Sequence, residues 1–189
     1  MNEAVFLALE ALMRRYLNLY RVNECSSYPC VNFDPPWPSP CMEFDGSQEL
    51  PSGAWRPVER RDIGIFDSMQ DAFGFEFHPD IKTYYGAYWS NGFCAQWKDL
   101  DLALIQIWNE EDEEAFKQNM LGHLFARKKN GLPPSYFLGT TDGSEIITLD
   151  QETGAVQLER PGYAAHETLS DSLELFLIGL IPNTNDYDA

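Results

Sequence analysis

The sequence predicts an α+β protein of one domain, residues 1–189, with a central, largely antiparallel sheet flanked by helices. Three observations carry that prediction. Apolar residues recur at helical spacing near both ends, and two groups of strand-like segments are separated by one long helical stretch. The 189-residue chain, 44% hydrophobic and 14% aromatic, is also long enough to bury a single core.

Val5, Leu9, Leu12, Tyr16 and Leu19 repeat at helical spacing, so residues 3–21 are expected to form an amphipathic helix. Residues 23–57 hold seven of the twelve prolines, and proline supplies no backbone donor. An extended connection wrapped over the domain is therefore expected, anchored by Phe33, Trp37, Phe44 and Trp55. The α+β core should run over 58–181, opening with a short helix from about Ile63 to Phe73. "HPDIKTYYGAYW" and "FCAQWK" read as strands joined by a tight hairpin at Asn91-Gly92, with His78 in the turn before the first of them. "LDLALIQIW" reads as a central strand, apolar on both faces toward its end.

A helix is expected over 110–129, followed by "SYFLGTT", "SEIITLD" and "AVQLER" as strands that turn at Asp142-Gly143 and through "QETG". Leu169, Leu173, Phe176, Leu177 and Leu180 suggest a final helix packed on the sheet, before a frayed acidic tail at 182–189.

Thirteen basic residues against thirty acidic ones give a formal charge of −17. Nucleic acid and anionic lipid carry the same sign and are disfavoured as partners; a basic protein is favoured. The charge is uneven, since the segment from Ser135 onward holds ten acids and one base, Arg160. No apolar run approaches the length of a membrane span, and the first twenty residues lack the basic start and cleavage site of a signal peptide. The chain reads as soluble and cytoplasmic, with Cys25, Cys30, Cys41 and Cys94 as reduced thiols. Cys25-x4-Cys30 lacks the paired spacing of a zinc site.

The feature that most needs an explanation is "WNEEDEEAF", with five acids in a row from Glu110 to Glu114. Helix grammar explains part of it. Asn109 is a favoured N-cap able to accept from the backbone N–H of Glu111 or Asp112. First-turn carboxylates offset the helix dipole by about 0.3–1 kcal/mol each. Glu113 precedes Lys117 by four residues, the favoured order for an ion pair. Arg127, Lys128 and Lys129 suit the other pole, and Asn130-Gly131 before Pro133-Pro134 ends the helix.

Two carboxylates would satisfy the dipole, so the surplus points to a surface function. Asp99 and Asp101 share one face at the start of the preceding strand and could bring further charge to the same hollow. A solvated helix start seldom separates carboxylate pKa values as acid–base catalysis requires, and the run follows no calcium-loop pattern. His123 lies beside the stripe of Phe116, Met120 and Leu124, which favours a half-buried, hydrogen-bonded histidine over a ligand; His166 falls in a loop. No nucleophile elbow or phosphate-cradling glycine loop is present, and no residue pattern requires an enzyme, a cofactor or a metal.

"PSPC" (38–41), "HPDIKTYY" (78–85), "WNEED" (108–112) and "NMLGHLFARKKNGLPPSYF" (119–137), followed by the apolar final helix, occur in an order that resembles the Syd family of bacterial SecY-interacting proteins. The resemblance covers most of residues 3–181 and is densest from His78 to Phe137. The segment from Asn23 to Trp37 and the tail after Pro182 exceed the family pattern, and Asn109 stands where Ser is expected.

The resemblance implies a Syd/SUKH-like fold and a non-enzymatic protein that is cytoplasmic and peripheral on the inner membrane. It would bind cytosolic loops of the SecY translocation channel through an acidic surface and monitor or restrain improperly assembled complexes. On that reading Glu110, Glu111, Asp112 and Glu113 are the expected contacts, with Asp99 and Asp101 as secondary candidates and no direct insertion into lipid. An immunity protein against a basic nuclease toxin is the alternative reading. A metal-dependent hydrolase using Asp99, Asp101 and the acidic run is the third.

Overall fold

A computed structural model describes residues 1–22, 28–32, 37–44 and 52–184 of the chain. The first helix, α1 (Glu3–Val22), buries Val5, Leu9 and Leu12 completely and Tyr16 nearly so, as its periodicity requires. Its start is fixed by Asn2, whose Oδ1 accepts from the Ala4 N–H and whose Nδ2 donates to Asp80 at 2.6 Å.

Seven strands form one antiparallel sheet: β3 (Phe93–Trp97), β4 (Leu100–Leu104), β5 (Ser135–Thr141), β6 (Ile146–Asp150), β7 (Val156–Glu159), β8 (Glu167–Ser170) and β9 (Ile181–Pro182). Their order is β8-β7-β6-β5-β4-β3-β9, so β4 lies inside the sheet, as its apolar sequence suggests. A separate two-stranded ribbon pairs β1 (Val58–Glu59) with β2 (Tyr88–Trp89). β5 bulges against β6 between Phe137 and Gly139, and on its other side Gly139 lets β5 approach β4 closely, since a Cβ there would lie 2.4 Å from the Ala103 carbonyl oxygen. The helices α2 (Asp67–Phe73), α3 (Pro79–Gly86), α4 (Glu110–Lys129) and α5 (Leu173–Gly179) flank the sheet. This is the single-domain α+β architecture that the sequence predicts.

"HPDIKTYYG" is a helix, not the expected strand. His78 caps it by accepting from the Asp80 N–H at Nδ1, and Pro79 occupies the first turn, where no donor is needed. Ile81, Tyr84 and Tyr85 are fully buried at helical spacing, and the two phenols donate to the carbonyls of Leu138 and Phe137. Strand-favouring aromatics concealed that spacing.

The Asn91-Gly92 hairpin is likewise absent: Tyr88–Trp89 pairs with Val58–Glu59, and residues 90–92 cross from the ribbon to the main sheet. The final helix is shorter than expected. Ser172 caps it through the Leu175 N–H, and Leu169 instead belongs to β8. α5 packs chiefly on α1, where Arg15 donates to the carbonyls of Leu180 and Leu177 at 2.7 and 2.9 Å. Pro182 is part of β9, and residues 185–189 of the expected tail lie outside the described residues.

The described parts of the proline-rich connection are tied down. Cys30 bridges to Ala54, and the Trp55 N–H donates to Pro29 at 3.0 Å. Trp55 is fully buried, Phe44 half-buried and Trp37 exposed; Phe33 and Cys25 lie outside the described residues. Cys41 and Cys94 are buried and Cys30 is exposed; burial pushes the Cys41 thiol up to about 11.

α4 is locked to the sheet by a buried polar cluster. Arg127 donates to Glu159 Oε1 at 2.7 Å and, through Nε, to the Pro133 carbonyl at 2.6 Å. Ser135 and Thr148 donate to the same Glu159 carboxylate, and His123 shares a hydrogen bond with Ser135 at 3.2 Å. Burial, reinforced by the Arg127 guanidinium, pushes the His123 imidazole from its ordinary 6.5 down to about 4.

The unfolded chain therefore takes up this proton first as pH falls. The contribution of neutral His123 is complete above about pH 6.5 and is lost progressively toward pH 4, by about 3 kcal/mol in total. His123→Gln keeps a neutral partner for Ser135, so its urea-unfolding free energy is expected to lose this part of the pH slope. Parallel wild-type and variant curves between pH 7 and pH 4.5 would remove His123 from the account.

Candidate functional site

Five residues, Ile105 to Asn109, lead from the end of β4 to the start of α4, with Gln106 set between apolar neighbours. Trp108 is next to last in this passage, and the proline-rich connection holds its backbone. Ser39 Oγ donates to the Trp108 carbonyl at 2.6 Å, Asn109 Nδ2 donates to the Pro38 carbonyl at 2.8 Å, and Trp55 meets the Trp108 ring edge to face. The Asn109 carbonyl group of the side chain then accepts from the Asp112 N–H at 2.8 Å, which is the expected N-cap. α4 begins and ends where its caps predict, and Gly131 takes the left-handed conformation after it.

The five acids are used unequally. Asp112 is half-buried and turns back to accept the Trp108 N–H at 2.8 Å; burial holds its carboxyl above the ordinary carboxylate range, partly offset by that hydrogen bond. Glu113 is mostly buried and pairs with Arg60 at 2.6 Å and Lys117 at 2.8 Å. Arg60 also reaches Asp62 at 3.2 Å and stacks 3.8 Å over the Trp89 ring, so it binds the β1 segment to the helix start. Glu114 shares Lys117. Glu110 and Glu111 are exposed and, among the described residues, make no side-chain hydrogen bond or ion pair.

Asp99 and Asp101 are not gathered into this patch. Asp99 is exposed in the β3–β4 turn, and Asp101 accepts from Gln96 at 3.2 Å at the start of β4. The strand, roughly 17 Å long at about 3.3 Å per residue, puts them at its far end from the start of α4. The described residues contain no grouping of three or more His, Cys, Asp or Glu side chains able to hold a metal ion. Among the described residues no helix is long and apolar enough to cross a membrane.

Two hollows flank the helix start and share Asp112. One, of about 350 Å³, is lined by Trp37, Met42, Asn91 and Trp108 on the side of the proline-rich connection. The other, of about 280 Å³, lies between α4 and the β4–β6 face, lined by Gln106, Phe116, Asn119 and Phe137. Arg60 and Gln106 escaped the sequence reading. Arg60 gives no local signal, whereas Gln106 does: it is the one polar residue inside "LALIQIW".

Comparison with known proteins places the chain in a family. The family described as Syd protein (SUKH-2) matches residues 6–182. The chain is 33% identical over 188 residues to Protein Syd of Pseudoalteromonas atlantica, covering 98% of this chain and 100% of that protein. It is 31% identical over 177 residues to Protein Syd of Alteromonas mediterranea, with 93% and 97% of the two chains covered. Protein Syd of Hahella chejuensis is 35% identical over 149 residues, covering 79% and 77%.

Proposed function

The chain belongs to the Syd family, and from that premise we propose that it binds basic cytosolic loops of the SecY translocation channel through the acidic start of α4. It works without catalysis, on the cytoplasmic side of the inner membrane, and monitors or restrains improperly assembled SecY complexes. The observation that carries this reading is the unequal use of the five acids. Glu113 and one oxygen of Asp112 are held by the fold, while Glu110 and Glu111 are exposed and unneutralised among the described residues, at a helix start flanked by two hollows. Asp99 and Asp101 enter as a second acidic point at the far end of β4.

Cytoplasmic loops of membrane proteins are rich in Lys and Arg, so their sign is complementary. A chain of net charge −17 is repelled by anionic lipid, and its membrane association would depend on the channel protein. Complementary charge chiefly raises the association rate and selectivity, and weakens with salt.

The test is binding of purified SecY-containing complex in detergent at about 50 mM and about 300 mM salt. Glu110→Lys/Glu111→Lys spares both carboxylates that hold the helix start. It is expected to remain folded and to bind roughly tenfold more weakly at low salt, with a flatter salt dependence. Equal binding by wild type and variant would move the contact elsewhere. No binding of SecY by either protein would overturn the reading and favour a basic toxin as the partner of this face.

A further inference from the structure

The hollow between α4 and the β4–β6 face is more specific than a charged surface. Gln106 lines it, is only 6% exposed, and leaves Oε1 without a hydrogen-bond partner among the described residues. Its Nε2 faces the Tyr84 oxygen, which can accept from it while the hydroxyl donates to the Leu138 carbonyl at 3.2 Å, so Oε1 is the atom left in need of a donor. A buried amide in this condition costs free energy that folding alone does not recover, which suggests that a ligand completes it. Asp112 supplies a carboxylate at the rim, with Oδ2 committed to the Trp108 N–H and Oδ1 remaining. Phe116 and Phe137, packed edge to face with ring centroids 5.8 Å apart, supply one aromatic wall, and Asn119 adds a further amide.

We propose that this hollow is a socket for one arginine side chain of the docking partner. Two separated oxygen acceptors beside an aromatic wall suit a planar guanidinium, which offers five donors and stacks on rings. Lysine is a poorer fit, because its ammonium is a more strongly hydrated point charge and loses more on entering an apolar cleft. Gln106 Oε1 and Asp112 Oδ1 accept from the guanidinium. The inference rests on the proposed docking to a basic loop, with Glu110 and Glu111 attracting the loop and the socket selecting the residue within it.

Two measurements separate this inference from the docking reading. In the first, N-acetyl-arginine amide and N-acetyl-lysine amide are titrated into the labelled protein while the Gln106 side-chain amide is followed by NMR. Saturable shifts are expected with the arginine probe at a Kd on the order of millimolar, weaker with lysine, and lost in Gln106→Leu. In the second, SecY-containing complex is bound to Gln106→Leu, with an expected loss of about tenfold, comparable with losing a charge-assisted hydrogen bond.

Removing a buried amide with an unpaired oxygen should leave the melting temperature unchanged or raised, whereas a structural role for Gln106 predicts a lower one. An unmoved Gln106 amide, or a less stable Gln106→Leu that binds SecY normally, would overturn the socket and leave the docking surface standing. Arginine-probe binding without SecY binding would keep the socket and overturn the partner.

Discussion

Arg127→Met is expected to destabilise the protein by about 3–5 kcal/mol and lower the thermal midpoint by on the order of 10 °C. Glu159 is fully buried in β7, and Arg127, 3% exposed at the other end of α4 from the acidic run, faces it. Truncating the arginine leaves a desolvated carboxylate held only by the Ser135 and Thr148 hydroxyls. It also removes the cation that helps hold down the His123 proton affinity, and His123 Nε2 lies 3.9 Å from the same carboxylate. The variant should therefore recover stability on mild acidification, when a proton reaches this cluster, over a range where the wild type loses it.

The double variant Arg127→Met/Glu159→Gln removes both charges and should regain a substantial part of the loss, since the penalty lies in the stranded charge. Urea unfolding at pH 7 and pH 6 measures all of this. A single-variant loss below about 1 kcal/mol would show that water reaches Glu159 on relaxation.

Trp55→Ala is expected to cost a similar 3–5 kcal/mol, by cavity formation rather than by charge. Trp55 is 1% exposed, with its ring centroid 6.1 Å from that of Tyr16 on α1 and 5.9 Å from that of Trp108 ahead of α4. It thus fastens the proline-rich connection to the first helix and to the passage leading into the acidic run. Beyond the stability loss, the proposed binding to SecY should weaken even where the variant is fully folded, because Trp108 and Asn109 lose a wall that positions them. Trp55→Phe keeps an aromatic ring there and should cost well under half as much. Equal stability of Trp55→Ala and wild type would mean that the connection packs on the core without being anchored by this ring.

What the sequence made legible and what it did not follow from the range of the forces involved. α4 could be bounded to the residue because Asn109, the carboxylates behind it, the basic last turn and Gly131 all act within a turn of the helix. The α3 helix was obscured because its aromatic composition favours a strand. Pro79 in the first turn and the 81-84-85 spacing were the signals that outweigh composition. β8 and β9 could not be seen, since a two- to four-residue strand exists only by pairing with a distant one: Ile181 with Gln96, Thr168 with Gln157.

The acidic run stood out by charge alone, yet its division of labour did not. Whether a carboxylate is spent or spare depends on Arg60, about fifty residues upstream, and on burial that no local pattern encodes. Gln106 was the exception, a polar residue whose position inside the apolar run "LALIQIW" carried the information.

The pairing of β9 with β3 and of α5 with α1 also sets when the protein becomes itself. α1 is made early, but the partner that covers it and the strand that completes the sheet edge come from residues 173–182. Until the ribosome has released that stretch, the part of α1 that α5 covers and the open side of β3 lack their mates, and such surfaces invite chaperones. Contacts spanning more than 150 residues also make the last assembly step slow relative to helix formation. A nascent chain therefore carries the acidic run in a body that has not yet closed, and becomes a finished fold only after synthesis has passed residue 182.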